Sequence, residues 1–530
     1  MQMTKKFIFI TGGVVSSLGK GLLSASIGNL LEKQGLRVAM LKFDPYLNLD
    51  PGTMNPFEHG EVYVTDDGTE TDLDLGHYYR FTNSPLSSVS NITSGKIYES
   101  ILKRERRGDF LGKTVQVIPH VTDAIQEAIF ACANQEKGID ICLVEVGGTV
   151  GDIESEPFME AIRQFRLSRP KDCLNLHLSY VPYLKAAGEI KTKPTQHSVQ
   201  VLRGIGICPD FVLCRCEKPL DPEVKNKISL FCSVSKSCVI ELVDVKHSIY
   251  ELPLHLHDQK LDESLCTLLD LPYKKRALKE WEALIEKIKH PKRSLKVGLV
   301  GKYLAHQDAY KSVCEALRHA AIFHGVDLTI ESIEADQVEK ETTIAKCDGY
   351  LIPGGFGERG FEGKLRVATY CREKKLPYFG ICLGMQVLVV EFARNVLKKP
   401  DANSTEINPD TPDPIISLIT EQENVQNLGG TMRLGAYPCQ LKSNSLANRA
   451  YKKDQIKERH RHRFEFNNTY KKACEEQGLI ETGRYAKKNL AEIVELEDHP
   501  WMLGVQFHPE FKSKPTEPHP LFLSFIEAML

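Results

Sequence analysis

One cysteine among fifteen sits where a cysteine can do chemistry. Pro377-Tyr378-Phe379-Gly380-Ile381-Cys382-Leu383-Gly384-Met385-Gln386 has the G-x-C-x-G form of a nucleophile elbow, a strand that turns sharply at Cys382 into a helix. Gly380 and Gly384 let strand and helix approach closely, leaving the thiol exposed beside a helix N-terminus that favours thiolate. Such a nucleophile needs a base and a group that orients the base. Gln506-Phe507-His508-Pro509-Glu510 offers both, with His508 and Glu510 on one side of an extended segment. Leu351-Ile352-Pro353-Gly354-Gly355-Phe356-Gly357 ends a further strand in glycines, so the N–H groups of Gly355 and Leu383 are placed to hold an oxyanion. A cysteine is ordinarily a small buried hydrophobe. The elbow, the histidine–carboxylate pair and the glycine loop, arriving in this order, set Cys382 apart. His460, His462 and the remaining histidines lack such partners and read as structural or surface residues.

A second constellation lies near the start. Gly12-Gly13-Val14-Val15-Ser16-Ser17-Leu18-Gly19-Lys20-Gly21 follows a strand and opens a helix, the setting in which backbone N–H groups and a helix N-terminus cradle phosphates. Lys20 is placed to reach the β and γ phosphates. The spelling departs from G-x-x-x-x-G-K-[ST]: five residues separate Gly13 from Gly19, and Gly21 stands where a hydroxyl would touch magnesium. Metal ligation then falls to carboxylates. Asp74, in Thr71-Asp72-Leu73-Asp74, and Glu145, closing the apolar run 141–144, are the candidates, with Lys42 adding charge beside the same phosphates. A glycine-rich turn with a lysine is by itself more often a plain turn. The strand context and the three charged residues favour a nucleotide.

These residues require strands that end beside them. Residues 7–11, 22–34 and 38–42 read as strand, helix and strand, the start of a parallel α/β sheet. Further β-like runs at 115–118, 141–146, 174–181, 211–214 and 239–243 complete a P-loop-like nucleotide-binding domain over 1–268. Residues 269–294 turn charged and carry an amphipathic helix through Trp281, Leu284, Ile285 and Ile288, which reads as an interdomain linker. A strand at 296–300 restarts a second parallel-sheet α/β domain over 295–530, with strands near 349–352 and 377–381. Residues 398–430, rich in Pro, Asn, Asp and Thr, read as loops.

The composition, 530 residues with 42% hydrophobic and 26% charged, is that of at least two globular domains. A net charge of -2 gives no general attraction to a polyanion. Lys103-Arg104-Glu105-Arg106-Arg107 and Arg459-His460-Arg461-His462-Arg463 are short and mixed, suiting a solvated face or a small anion rather than nucleic acid. Cysteines scattered without a C-x-x-C pair suit a reducing cytosol. The apolar run after Lys5-Lys6 stops at Thr11-Gly12-Gly13 and reads as a strand rather than a leader. The longest apolar stretch, 378–390, is interrupted by Gly380, Gly384 and Gln386 and falls short of a membrane span.

Gly12 to Gly21, Asp44-Pro45-Tyr46, Asp50-Pro51-Gly52-Thr53-Met54, Gly60-Glu61-Val62, Gly147-Gly148-Thr149-Val150-Gly151-Asp152-Ile153-Glu154, Lys191-Thr192-Lys193-Pro194-Thr195-Gln196-His197-Ser198 and Leu428-Gly429-Gly430-Thr431-Met432-Arg433-Leu434-Gly435 all resemble signatures of the CTP synthase family. The chain resembles that family from end to end, and residues 295–530 resemble a class I, triad-type glutamine amidotransferase. The resemblance implies an ATP site at Ser17, Leu18, Gly19, Lys20, Gly21, Leu22, Asp74, Val243, Asp244 and Val245, with magnesium on Asp74 and Glu145. It implies a UTP site at Ser16, Lys191, Thr192, Lys193, Pro194, Thr195, Gln196, Lys227 and Phe231, and inhibition by CTP through Asp152, Ile153 and Glu154. Glutamine is implied at Gly355, Leu383, Gly384, Met385, Gln386, Glu406 and Arg463. A cytoplasmic homotetramer, with the pyrimidine site spanning subunits, and activation by GTP complete what it implies. The loop 420–428 is short beside longer family members and leads into residues 429–435, the lid segment associated with GTP.

In the reaction so implied, ATP phosphorylates O4 of the uracil ring, which makes that oxygen a leaving group, and ammonia adds at C4. Protonated nitrogen is no nucleophile, so ammonia is expected to travel inside the protein, with His59 and Pro56 as candidate lining. Another ATP-using amidotransferase, such as a GMP synthase or a cobyrinic-acid amidase, would share the second-domain motifs. The segment 191–198 and the first glycine loop favour UTP. A nucleotide-binding scaffold without turnover would have no use for Cys382, His508 and Glu510.

Overall fold

The computed structural model describes residues 4–302, 304, 307–340, 343–418 and 432–530. Its contacts divide into two compact units, Met1–Asp50 with Asp74–Glu286, and Pro51–Leu73 with Lys287–Leu530. The segment 51–73 therefore packs with residues far beyond it in sequence, which a linear division at 268 or 295 does not anticipate.

The first unit is built on seven parallel strands in the order Val239–Val243, Phe211–Cys216, Cys173–Tyr180, Lys6–Gly12, Ile141–Val146, Val38–Asp44, Asn91–Thr93. Lys6–Gly12 and Val38–Asp44 are buried at every position, because helices cover both faces of a parallel sheet. The first strand lies centrally and its chain leaves at the carboxyl edge, where Lys42 and Glu145 also emerge. Residues 115–118, expected to be β-like, are not a strand. Val117–Val121 instead forms one wide π-type turn entering the helix Thr122–Ala133, since Pro119 has no N–H to give a ladder.

The presumed linker helix is also docked. In Lys279–Lys289, Trp281, Leu284 and Ile285 are buried, and the Trp281 ring stacks on Phe81 with centroids 5.3 Å apart and lies 5.9 Å from Tyr250. Residues up to Glu286 thus belong to the first unit.

Among the described residues, the main sheet of the second unit has nine strands in the order Val326–Glu334, Arg293–Gly301, Gly349–Ile352, Tyr378–Ile381, Met502–Val505, Leu490–Leu496, Leu479–Tyr485, Arg433–Leu441, Gln455–His462. The first five are parallel, as the sequence suggests, whereas the last four pair antiparallel and extend the sheet. Part of the stretch read as loops contributes Asn403–Ser404 and Pro414–Leu418 to a small three-stranded sheet with Phe464–Phe466. The loop 420–428 and residues 429–431 of the lid segment lie outside the described residues. Among the described residues no helix is long and apolar enough to cross a membrane. All fifteen cysteines are free.

Trp281→Ala empties a fully packed aromatic seam and is expected to lower the unfolding free energy by about 3–5 kcal/mol in denaturant titrations followed by circular dichroism. A loss below about 1 kcal/mol would mean that the helix is not docked as described.

Candidate functional site

The strand Tyr378–Ile381 hands directly to the helix Leu383–Asn395, and Cys382 between them has φ 52° and ψ -103°. A left-handed backbone at a residue other than glycine costs about 1–3 kcal/mol. Here it is fixed on both sides. The Cys382 N–H donates to Val505 O at 2.7 Å, and the Cys382 carbonyl accepts from Met385 N at 3.1 Å. A Cβ on Gly384 would fall 2.2 Å from the Ile352 carbonyl oxygen, and one on Gly380 would fall 2.5 Å from the Gly384 backbone, so both must be glycine. The thiol expected to be exposed is instead buried, with Cys382 3% accessible at the floor of a cavity of about 220 Å³. Burial follows from the segment 51–73: Gly52, Met54, Pro56 and Val62 line the same cavity. Pro56 thus reaches this space, whereas His59 pairs with Asp72 at 3.2 Å.

His508 and Glu510 line that cavity too, and His508 Nδ1 lies 2.7 Å from Glu510 Oε1. The backbone is not extended past His508, as Pro509–Lys512 is a short 3-10 turn, yet the pair still meets. Burial alone would push His508 down. The Glu510 carboxylate and then the Cys382 sulfur outweigh it and raise the imidazole from 6.5 to about 10. Its Nε2 has no hydrogen-bond partner among the described residues. With Nδ1 held by Glu510, Nε2 is the ring nitrogen left for the cavity that Cys382 also lines.

The Gly355 and Leu383 N–H groups are likewise unpartnered among the described residues, as an oxyanion hole requires. Their loop is braced from behind by Lys302 Nζ, which donates to Phe356 O at 2.6 Å and Gly357 O at 2.9 Å, and by Glu406, which accepts from Gly357 N at 2.7 Å. Burial raises the Glu406 carboxyl, against the pull of Lys302, Lys364 and Arg463. Gln386 donates to Phe464 O at 3.2 Å and to Gln506 Oε1 at 3.4 Å, while Gln506 Nε2 lies 3.6 Å from Cys382 Sγ. Sequence reasoning did not assign Lys302 or Gln506. Both sit at or just past the end of a strand, the signal that singled out Glu145.

In the first unit, Gly19 has φ 90° and caps the helix Lys20–Lys33, while Val14 and Ser17 are left-handed without being glycine, the kind of bent, strained loop that exposes N–H groups. Lys20 Nζ donates to Gly148 O. Lys42 Nζ pairs with Asp74 and lies 3.0 Å from Glu145 Oε1 and 3.8 Å from Asp44 Oδ1. Glu145 Oε2 also accepts from Ser24 at 3.1 Å and from Tyr78. Burial raises the Glu145 carboxyl despite Lys42, and burial followed by Lys42 lowers Lys20. The absent hydroxyl at Gly21 now has a physical reason: a Cβ there would fall 1.9 Å from Asp74 Oδ1, so the carboxylate occupies the space of a serine side chain. Asp44, Asp74 and Glu145 are hard oxygen donors of the kind magnesium takes, but here they surround the Lys42 ammonium, and among the described residues no three such side chains are arranged to hold a metal ion. Tyr78, one helical turn beyond Asp74 in Asp74–Phe81, was legible from its i+4 spacing but not singled out.

Arg215, also unassigned from sequence, donates to Ser17 O at 3.1 Å and pairs with Asp244 at 3.2 Å, bringing the glycine loop and the segment 243–245 together. Of the residues expected to bind the pyrimidine nucleotide, Thr192, Thr195 and Gln196 are buried at the start of the helix Lys193–Gly204, where Gln196 bonds Thr192 at 3.0 Å. Ser198, further along that helix, is 2.7 Å from His177 Nε2, and His177 Nδ1 is 3.0 Å from Thr11, tying the helix to the strand that feeds the loop. Lys191 pairs with Glu189. Lys227 and Phe231 point outward on the helix Pro222–Cys232, and Ser16, Asp152, Ile153 and Glu154 are exposed, so the structure does not gather these around the buried group.

Residues 6–271 match the family description "CTP synthase N-terminus", and residues 305–528 match "Glutamine amidotransferase class-I". A CTP synthase of Protochlamydia amoebophila is 64% identical over 100% of this chain and 98% of its own length, and one of Chlamydia abortus is 58% identical with the same coverages. The chain belongs to the CTP synthase family. Membership makes it an ATP-dependent, glutamine-hydrolysing ligase of pyrimidine nucleotide synthesis, which aminates UTP to CTP. The glutaminase domain of the Trypanosoma brucei CTPS, solved with bound acivicin, is 35% identical over 44% of this chain and 93% of that one, with a TM-score of 0.42.

Because His508 is raised above 6.5, its pairing with Glu510 contributes stability that is complete below about 6.5 and lost as pH rises through about 10. Glutamine hydrolysis that uses the protonated imidazole should fall along the same limb. Glu510→Gln removes the first charge that raises it, so the alkaline limb is expected about one unit or more lower in a pH–rate profile. An unmoved limb would detach Glu510 from His508.

Proposed function

We propose that the second unit releases ammonia from glutamine at Cys382 and that the first unit uses it to aminate UTP at the loop Gly12 to Gly21. What carries this reading is the sorting of residues. Cys382, His508 and Glu510 all fall in one unit, and Gly12 to Gly21, Lys42, Asp74 and Glu145 all fall in the other.

In the glutaminase, the Cys382 sulfur attacks the side-chain amide carbon, and the N–H groups of Gly355 and Leu383 receive the charge that builds on its oxygen. His508 gives its proton to the departing nitrogen, which leaves as ammonia. It then takes a proton from water as the water opens the thioester to glutamate. Leu383, Gly384, Met385 and Gln386, with Glu406 and Arg463, hold the rest of the glutamine.

In the synthetase, Ser17 to Leu22 wrap the ATP phosphates with backbone N–H groups and the helix N-terminus. Lys20 and Lys42 face the transferring phosphoryl group, and Val243 to Val245 hold the nucleoside. Asp74 and Glu145 are the residues that would hold magnesium, which would supply charge neutralisation. Ser16, Lys191 to Gln196, Lys227 and Phe231 bind UTP, and the phosphorylated O4 departs as ammonia adds. Asp152 to Glu154 take the CTP that feeds back, and GTP activates through the lid. The reading makes the enzyme a homotetramer with the pyrimidine site between subunits, as the family resemblance implies. The reading places the enzyme in the cytoplasm.

The test is CTP formation from UTP, ATP and magnesium with either glutamine or ammonium as nitrogen donor. Asp74→Asn and Glu145→Gln are each expected to lower both rates by about 100-fold or more, while glutamate release persists. Undiminished ammonia-driven synthesis in either variant would remove that residue from the site.

A further inference from the structure

The basic run 459–463 is only partly used by the glutamine site. On the strand Gln455–His462 its residues alternate, as strand geometry requires. His460 and His462 turn to one face, where His460 Nδ1 meets His462 Nε2 at 2.9 Å. Arg459 and Arg461 turn to the other and grip the segment 51–73. Arg461 Nε is 2.7 Å from Glu70 Oε1 and its Nη2 is 3.0 Å from Gly52 O, with the guanidinium 5.2 Å from the centre of the Phe356 ring. Arg459 Nε is 2.5 Å from Asp66 Oδ1 and its Nη1 is 2.6 Å from Tyr63 Oη. Arg461 and Glu70 are both largely buried, so theirs is a geometrically demanding, charge-assisted contact rather than a surface pair, whereas buried Arg459 meets an Asp66 that is half exposed.

The backbone of the same two residues holds the catalytic pair. His508 N donates to Arg459 O at 2.7 Å, and Cys382 Sγ is 3.8 Å from Arg461 O. Two consecutive odd positions of one strand thus fix the nucleophile and base with their carbonyls and, with their side chains, fix the cavity wall formed by Gly52, Met54, Pro56 and Val62. Thr53 and Glu61, the latter accepting from Ser312 N at 2.7 Å, line the cavity too, so the wall is mixed, with Met54, Pro56 and Val62 as its apolar part. A closed wall retains a small uncharged molecule and limits the entry of water, which would otherwise protonate ammonia and carry it off.

We propose that Arg461 and Arg459 are positioning residues that hold the segment 51–73 as the retaining wall of the glutaminase cavity, with the Arg461–Glu70 pair as its principal tie. The inference rests on the two-site reading above and adds a set of residues that decides whether released ammonia is used or lost. Loosening the tie leaves Cys382, His508 and Glu510 in place but opens the wall.

The experiment compares the full chain with Arg461→Met, which keeps the stem and loses the fork, and with Glu70→Gln, which keeps shape and loses charge. The readout is glutamate released per CTP formed, with ammonium-driven CTP synthesis and thermal unfolding measured alongside. The unmodified chain is expected near one glutamate per CTP. Arg461→Met is expected to raise the ratio about threefold or more and Glu70→Gln about twofold, with ammonium-driven synthesis within about twofold of the unmodified rate. Arg461→Lys, which restores the charge without the two-pronged reach, should fall between. A folded Arg461→Met and a folded Glu70→Gln with unchanged ratios would overturn the positioning role. So would parallel loss of both activities with stability, which is what a purely structural residue gives. A chain making CTP from neither donor would instead overturn the two-site reading.

Discussion

The left-handed backbone at Cys382 is the constraint around which the second unit is arranged. It can exist only where a strand ends and a helix begins with no side chain between them, which is why Gly380 and Gly384 flank it and why Ile352 O lies against Gly384. It can persist only if neighbours over-determine it. The parallel strand Met502–Val505 does this through Val505 O, and the same strand leads straight on to Gln506, Phe507 and His508. One hydrogen bond therefore both stabilises the strained turn and sets the register that delivers the base. The antiparallel half of the sheet completes the arrangement, since its edge strand supplies the Arg459 and Arg461 carbonyls.

The first unit solves a different problem, that of holding several like charges together before the substrate arrives. Lys42 does so by lying among Asp44, Asp74 and Glu145, with Tyr78 and Ser24 taking the remaining lone pairs of Glu145. Breaking such a buried cluster by removing one member leaves an uncompensated buried charge. Gly21 belongs to it as much as the charged residues do. Its missing side chain is the room in which the Asp74 carboxylate sits.

Much of this was legible in the sequence because it is local. Strand, glycine turn and helix are written within about ten residues at both Gly12 to Gly21 and Gly380 to Gln386, and Glu145 follows a short apolar run whose length suits a buried strand. What was not legible is non-local or lies where short runs are ambiguous. Residues 115–118 have a strand's apolar content, but Pro119 decides against it. The helix with Trp281 has the charge of a linker, and only its aromatic partners Phe81 and Tyr250, distant in sequence, reveal that it is docked. The segment 51–73 carries family signatures but nothing in its own composition says that it packs with residues 287–530 and buries the thiol. Arg215 and Lys302 act through backbone carbonyls and Gln506 through the Gln386 amide and the Cys382 sulfur, partners that sequence spacing does not name.

The central claim is that two chemistries are divided between two sets of residues and meet only through ammonia. It is tested most directly by Cys382→Ala, assayed for CTP formation with glutamine and then with ammonium. The Cys382 sulfur is the nucleophile of the glutaminase reaction, so glutamine-driven synthesis should fall by several orders of magnitude. Ammonium-driven synthesis should stay within about twofold of the unmodified chain, because Lys20, Lys42, Asp74 and Glu145 are untouched. Retained synthesis from glutamine would contradict the elbow, and lost synthesis from ammonium in a folded variant would contradict the division itself.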